Sequence, residues 1–357
     1  MGIVKKHFGT DLYYAIYSVE EEQHFMRLDQ FMQTFLPSWS RQQIKKRIKD
    51  KSIQILGRPG NNRPSTLVHH REHIQITMRD EGVEDEYWNG EKLELDKDPE
   101  IVFEDDDLAV ISKPAYMSTH PTGRHLFNCA TVVMEGRYQK TVHSVHRLDR
   151  ETSGILVMGR NPKISTIMTD HFLYDRVRKC YFFIAIANEE YNGEIKFESN
   201  ERLGSATKTG LKRVLINHYP EDSSDGKHAR TLFHIIHQEG KYVIGLAFPQ
   251  TGRQHQIRVH AMVQGLPLLG DKMYLGGFKM FQRFKDQIAS TEDHDLMQIT
   301  RHALHAMAIK IPYKGEERIF KSHIPLDLKA WLEQNIEMPI SELEEKLSDG
   351  IDEYLNQ

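Results

Sequence analysis

The chain has 357 residues, 39% of them hydrophobic and 27% charged, with a formal net charge of −4. That length admits two domains with proper cores, and the composition is globular rather than disordered or fibrous. Only Cys129 and Cys180 are present, which excludes a disulfide framework. No apolar run approaches the roughly 20 residues of a membrane helix, and the N-terminus lacks a secretory core, so a cytoplasmic protein is expected.

Residues 1–25 read as a short leader, an extra strand or an ordered arm. In residues 26–80, Leu28, Phe31, Met32 and Phe35 recur at helical spacing, and Pro37 with Ser38 ends that helix. Ser40 is a plausible N-cap for a second helix over 41–51. It would bury Ile44 and Ile48 and display Arg41, Lys45, Lys46, Arg47 and Lys49. Strands follow at 52–56 and 73–77, with a turn at Arg58-Pro59-Gly60-Asn61-Asn62 between them. His69, His70 and His73 cluster, but without a fourth ligand they do not make a zinc site, so no metal is expected.

The charge is unevenly placed. Residues 26–79 hold eleven Lys/Arg and three Asp/Glu, or +8. Residues 80–107 hold fourteen acids and two lysines, or −12, and 333–357 hold eight acids and one lysine, or −7. A basic module between acidic stretches suggests a nucleic-acid face that the net charge conceals. Residues 81–100 read as an acidic linker and 336–357 as an acidic tail.

The second module, 101–335, mixes β-like runs at 101–103, 108–112, 180–187, 243–247 and 308–311 with helices near 163–172 and 254–264. This alternation, without regular βαβ spacing, predicts an α+β fold rather than a doubly wound sheet. There is no Gly-rich phosphate loop and no nucleophile elbow.

One stretch concentrates chemistry: His146-Arg147-Leu148-Asp149-Arg150-Glu151-Thr152-Ser153-Gly154, just before the apolar run Ile155-Leu156-Val157-Met158. An aspartate between arginines at the lip of a strand stays ionised and can attack an electrophilic carbon or take a proton. Three further segments accompany it. They are Lys113-Pro114-Ala115-Tyr116-Met117-Ser118-Thr119-His120-Pro121, Arg178-Lys179-Cys180-Tyr181, and Thr251-Gly252-Arg253-Gln254-His255-Gln256-Ile257-Arg258-Val259-His260. Gly265-Leu266-Pro267-Leu268-Leu269-Gly270-Asp271 and Leu304-His305-Ala306 come after.

These segments, in this order, resemble the RluA-type pseudouridine synthases across the second module. The order Arg-Leu-Asp-x-Phe, Ser-Arg-x-x-Ile, basic helix, strand resembles the S4 RNA-binding domain over about 26–80. The resemblance implies a small S4-like domain followed by a mixed, mainly antiparallel catalytic domain. It implies an isomerase acting on structured RNA, most likely ribosomal RNA and alternatively tRNA, without metal or organic cofactor and as a monomer. It assigns the reaction at ribose C1′ to Asp149 and stacking on uracil, with help at C5, to Tyr181. Arg258 would keep Asp149 ionised, and Arg147 would fill the space of the flipped base. Arg41, Lys45, Lys46 and Lys49 would meet phosphates. Arg253 is expected to organise its loop or touch phosphate, and His120, His146, His255 and His260 to pack or fix loops. Two positions depart from the family pattern: Tyr116 stands where glycine is usual, and Phe183 where a small residue is usual. Both are expected to add bulk around the pocket. Two rival readings are an RNA-binding assembly factor without turnover and a base-excising hydrolase with Glu151 as its acid.

Overall fold

The computed structural model describes residues 2–356 apart from 37–38, 59, 61, 83, 123–124 and 206–214. The helix break expected at Pro37 and Ser38, and Pro59 and Asn61 of the expected turn, therefore lie outside the described residues. The chain forms two compact units, Met1–Glu84 with His120–Gln139, and Asp85–Thr119 with Lys140–Gln357.

The first unit contains β1 (Ile3–Phe8), β2 (Leu12–Ser18), α1 (Leu28–Phe35), α2 (Arg41–Lys49), β3 (Ile53–Ile55), β4 (His73–Arg79) and α3 (Ala130–Tyr138). Its antiparallel sheet has the order β1-β2-β4-β3. Helix α2 begins, and both helices face, as their residues dictate. The Ser40 hydroxyl accepts from the Gln43 N–H, and the Gln43 side chain accepts from the Ser40 N–H, a reciprocal cap that satisfies two exposed donors. Leu28, Phe31 and Met32 of α1 and Ile44 and Ile48 of α2 are buried with Ile53, Ile74 and Ile76.

The units depart from the expected boundaries in three places. The leader supplies two strands, and β2 lies inside the sheet because Tyr13, Ala15 and Tyr17 alternate onto its buried face. Residues 120–139, expected in the second module, join the first unit. There the Glu84 carboxylate accepts three successive N–H groups, from Leu126 at 2.5 Å, Phe127 at 2.9 Å and Asn128 at 3.0 Å, and Phe127 enters the core. Finally, the expected linker contains a hairpin of the second unit, β5 (Tyr87–Trp88) and β6 (Glu91–Lys92). Trp88 stacks on Phe284 at 5.6 Å between centroids and meets His294 edge-on at 4.3 Å.

The second unit continues with β7 (Glu100–Glu104), β8 (Leu108–Lys113), β9 (His143–Ser144), β10 (Ser153–Gly159), α4 (Pro162–Leu173) and β11 (Arg178–Ile186). Then come β12 (Lys196–Ser199), β13 (Arg202–Ser205), β14 (Ile216–Tyr219), β15 (Thr231–Glu239), β16 (Tyr242–Pro249) and α5 (Gln256–Val263). The last elements are α6 (Gly277–Lys285), α7 (Thr291–Met297), β17 (Leu304–Tyr313), β18 (Glu316–Lys321), α8 (Leu326–Asn335) and α9 (Ile340–Leu355).

A ten-stranded mixed sheet carries this unit, in the order β12-β15-β16-β11-β17-β10-β8-β7, with β18 beside β17 and β9 beside β10. Its ladders are antiparallel except β10 with β17, where Ser153 faces His305 and Gly154 faces Ala306. Alternation along β11 divides two cores. Cys180, Phe182 and Ile184 pack with α8 and α9, while Phe183 and Ala185 pack with Ile257 and Ala261 of α5. The stretch expected as an acidic tail is thus helix α9, whose Leu343, Leu347, Ile351 and Leu355 are buried in the first of these cores. Among the described residues, no helix is long and apolar enough to cross a membrane.

Candidate active site

The aspartate loop is held from several sides before any substrate is considered. At its exit Gly154 has φ +106°, and a Cβ there would lie 2.3 Å from the Ala306 carbonyl oxygen, so only glycine admits the close approach of β10 to β17. Ser153 Oγ and His305 Nδ1 lie 2.8 Å apart, as do Thr152 Oγ1 and His302 Nε2. The Thr152 N–H donates to the Asp149 carbonyl at 3.1 Å. Thr119 Oγ1 donates to the Leu148 carbonyl and accepts from the Leu148 N–H, both at 3.1 Å. Beneath lies Lys113, fully buried, donating to the carbonyls of Met117 at 2.8 Å, Pro114 at 3.0 Å and Arg150 at 3.3 Å. A buried amine requires such acceptors, burial having pushed its pKa well below the ordinary lysine value, and here they tie the Lys113-Pro114 segment to the aspartate loop.

The loop opens on a cavity of about 590 Å³ whose lining includes Arg147, Asp149, Lys179, Tyr181, Arg253, His255 and Arg258. Val145, Leu148, Phe172, Leu173 and Leu304 supply apolar wall. The Asp149 side chain is 26% exposed, so it is presented to the cavity yet largely removed from water. Arg258 Nη1 lies 3.2 Å from Asp149 Oδ2, and the other edge of the guanidinium grips Asp271, with Nε–Oδ2 at 2.7 Å and Nη2–Oδ1 at 2.9 Å. Asp271 also accepts the N–H groups of Met273 and Tyr274, each at 3.0 Å. The planar fork of arginine can serve two carboxylates at once, which a point-charge ammonium cannot.

Charge states follow from these contacts. Burial pushes the Asp149 carboxyl up, but in the acid range where it titrates, attraction from protonated His255, from Arg258 and from His302 outweighs it and leaves the pKa below the ordinary value. Burial together with Arg258 pushes His255 down to about 4, so it is neutral at neutral pH and Arg258 is the permanent cation. Burial and the Asp149 charge raise Tyr181, which is therefore a neutral phenol. Lys179, brought down by burial to about 8, donates to the Thr251 carbonyl at 3.1 Å.

Asp149, Tyr181, Arg258 and Arg147 thus converge on one cavity from the loop before β10, from β11 and from α5. Tyr181 follows an irregularity in the pairing of β11 with β17, the kind of local bend that re-aims a side chain. Arg147 is exposed at the rim. Arg253 donates to the His228 carbonyl at 2.9 Å rather than pairing with Asp149. Gln256 ties its loop, accepting from Thr251 Oγ1 at 2.7 Å and from the Arg253 N–H at 2.9 Å. His146 accepts from the Val157 N–H at 2.9 Å and stacks on Phe172, and His260 is 2.9 Å from Thr231 Oγ1, both loop-fixing contacts. His255 Nδ1 lies 2.9 Å from the Tyr274 hydroxyl, a loop-fixing contact, and its Nε2 also reaches the cavity wall, 3.8 Å from Asp149 Oδ2.

Neither departure from the family pattern lines the cavity. Tyr116 keeps a left-handed backbone, φ +64°, and its ring is buried beneath the Arg150 guanidinium at 5.3 Å. Arg150 donates in turn to the Tyr116 carbonyl at 3.2 Å and pairs with Glu86. Phe183 is fully buried edge-on to Phe233, in space that Gly245 opposite it leaves free. Glu151 also stays out of the lining: it pairs with Lys272 at 3.4 Å and His302 at 3.3 Å. Burial opposes its ionisation, but Lys272, His302 and Arg150 hold its pKa well below the usual carboxylate range, which is unsuited to a general acid. Residues that sequence reasoning did not assign a role are Asp271, His302, Lys113 and Lys179. Lys113, Lys179 and Asp271 stood within quoted segments, but each meets a partner from another segment, the Arg150 carbonyl, the Thr251 carbonyl and Arg258 respectively.

Arg41, Lys45, Lys46 and Lys49 lie together on α2 of the first unit, where Arg41, Lys45, Lys46 and Lys49 are all exposed. Lys45 and Lys49 line a groove of about 710 Å³ with Arg27, Lys51, Asn62 and Arg63. Among the described residues, no cluster of three or more His, Cys, Asp or Glu is placed to hold a metal ion.

Residues 107–262 match the family model described as RNA pseudouridylate synthase. Among similar proteins is the ribosomal large subunit pseudouridine synthase D of Vibrio vulnificus, 30% identical over 326 residues that cover 87% of this chain and 91% of the relative. Another is the mitochondrial tRNA pseudouridine(32) synthase of Saccharomyces cerevisiae, 34% identical over 175 residues, or 49% of this chain and 36% of the relative. The solved structure of human RNA pseudouridylate synthase domain containing 4 superposes with a TM-score of 0.51 at 20% identity, over 67% of this chain and 94% of that one, a likeness of fold.

Proposed function

The chain belongs to the RNA pseudouridylate synthase family, and from that premise we propose that its substrate is ribosomal RNA, with Asp149, Arg258, Tyr181 and Arg147 dividing the work on one uridine. Similarity to a synthase named for the large ribosomal subunit, over most of both chains, supports that substrate. The yeast relative named for tRNA shares only a stretch of each chain and makes tRNA the second reading.

The observation that carries the assignment of roles is the Asp149–Arg258–Asp271 chain at the wall of a cavity that also holds Tyr181. Isomerisation breaks the bond from uracil N1 to ribose C1′, turns the base and forms a bond from C5 to C1′. N1 ends with a proton, and C5 gives one to solvent. No oxidation, reduction or energy source is involved. An ionised Asp149 can trap the electron-poor sugar at C1′ or take a ribose proton, as carboxylates do at glycosidic carbons. Tyr181 offers a neutral ring for the uracil to lie against and a hydroxyl near C5. Arg147 at the rim can occupy the stack the base has left. The α2 cations and the groove beside them would hold phosphate in an S4-like manner.

Tritium release from RNA labelled at uridine C5 tests both claims. The wild type should release tritium from unmodified large-subunit RNA faster than from bulk tRNA, without free uracil, and Asp149→Asn should release none. Release confined to tRNA would replace the substrate, and activity in Asp149→Asn would remove that residue from its role.

A further inference from the structure

Just past the cavity wall, α4 ends in a turn that puts apolar surface in water. Phe172 and Leu173 line the cavity, yet Leu173 is 67% exposed, and the next residue, Tyr174, is 63% exposed. The turn is well anchored. The Tyr174 N–H donates to the Asp170 carbonyl and the Arg176 N–H to the His171 carbonyl, both at 2.9 Å, and Asp175 takes a left-handed backbone, φ +53°. The Arg176 guanidinium stands 5.7 Å from the Tyr174 ring centroid. An exposed ring with an arginine beside it, continuous with a cavity meant for one nucleotide, fits a base and its phosphate.

We propose that this turn is a second nucleotide subsite, in which a base next to the flipped uridine stacks on Tyr174 and Arg176 meets its phosphate. The proposal rests on the cavity being the uridine site, as argued above. A nucleobase is favoured over a protein partner because the patch runs into the cavity wall through Leu173 and Phe172, that cavity is lined by the cations Arg147 and Lys179, and Arg176 stands over the Tyr174 ring. Asp175, also at the lip, would keep the phosphate towards Arg176 rather than over the turn.

The probe is a fluorescein-labelled dodecauridylate, with its dissociation constant read by anisotropy at several salt concentrations on the full chain. Tyr174→Ala should weaken binding roughly five- to hundredfold, the range for losing one stacked base, while Tyr174→Phe keeps it. Arg176→Ala should lower the salt slope by about one. Tyr174 is mostly exposed, so melting temperatures should not move. An unchanged dissociation constant for Tyr174→Ala, or equal losses for the alanine and phenylalanine variants, would overturn the subsite. Tritium release from ribosomal RNA separates this from the functional reading. A wild type that releases none defeats the substrate assignment, whereas the oligouridylate comparison still decides the subsite.

Discussion

Asp149 is useful as an anion only because something beside it is always a cation. His255 cannot fill that place at neutral pH, since burial holds it near 4, so the burden falls on Arg258. Arg258 in turn is aimed by Asp271, fully buried and bidentate on its other edge. Replacing Arg258 with lysine keeps the charge but cannot reach both carboxylates. Arg258→Lys should therefore cost roughly 10- to 100-fold in kcat, the equivalent of one charge-assisted hydrogen bond. The pH profile gives a sharper test. Asp149 has a depressed pKa, so in the role proposed for it activity should be present above that pKa and be lost as pH falls through it. With the cation displaced, that pKa rises, and the acid limb of kcat against pH should move to higher pH in Arg258→Lys. A limb that stays in place would mean that another group sets the charge of Asp149. At this scale the sequence was readable where one segment carried the signal, as for Asp149 with its flanking arginines. It was unreadable where the partner came from elsewhere. Nothing local marks Asp271 as the anchor of Arg258 or Lys113 as the support of the Arg150 carbonyl.

Between elements, the site depends on how closely β10 and β17 approach at Gly154. A methyl group there would meet the Ala306 backbone, which cannot rotate aside as a side chain could, and the φ of +106° is unfavourable for alanine as well. Gly154→Ala should lower unfolding free energy by at least about 2 kcal/mol in a denaturant titration. It should also reduce activity more than its stability loss predicts, because the displaced strand carries the aspartate loop. Helix α9 makes a second case. Leu343, Leu347, Ile351 and Leu355 recur at near-helical spacing, yet eight acids in the surrounding stretch made it read as a solvated tail. Spacing outweighed charge, because the acids occupy the outer face while the apolar stripe covers β15 and β16. Burying four such side chains contributes on the order of 6–12 kcal/mol, comparable to the whole stability of a domain. A chain ending at Asn335 should therefore be insoluble or melt far below the full chain, by circular dichroism, whereas a disposable tail would leave melting unchanged. The leader, expected to be an extra strand or an ordered arm, carries a signal of the same kind in period two, the alternation of Tyr13, Ala15 and Tyr17.

Across the whole molecule, charge is sorted by unit rather than balanced within each. The strand order and pairing of the large sheet follow from long-range contacts that no local pattern encodes, so the residue patterns carried only the α+β class, while the mixed, mainly antiparallel sheet was implied by the family resemblance. The basic character of residues 26–79, by contrast, could be counted directly, and it maps onto α2 and the groove lined by Arg27, Lys45, Lys49, Lys51 and Arg63. If that groove holds RNA phosphates, its contribution is electrostatic and indifferent to sequence, and each cation removed should release one fewer counterion. The double variant Lys45→Ala, Lys49→Ala should then reduce the salt dependence of RNA binding, as a slope of log affinity against log salt, by about two. Both side chains are exposed, so stability should be little affected. In the tritium assay the loss should fall on KM for ribosomal RNA, because neither lysine lines the cavity that holds Asp149. An unchanged slope would reduce the α2 charges to a solvated helix face and leave the grip on RNA to Arg147, Lys179 and Arg253 around the cavity.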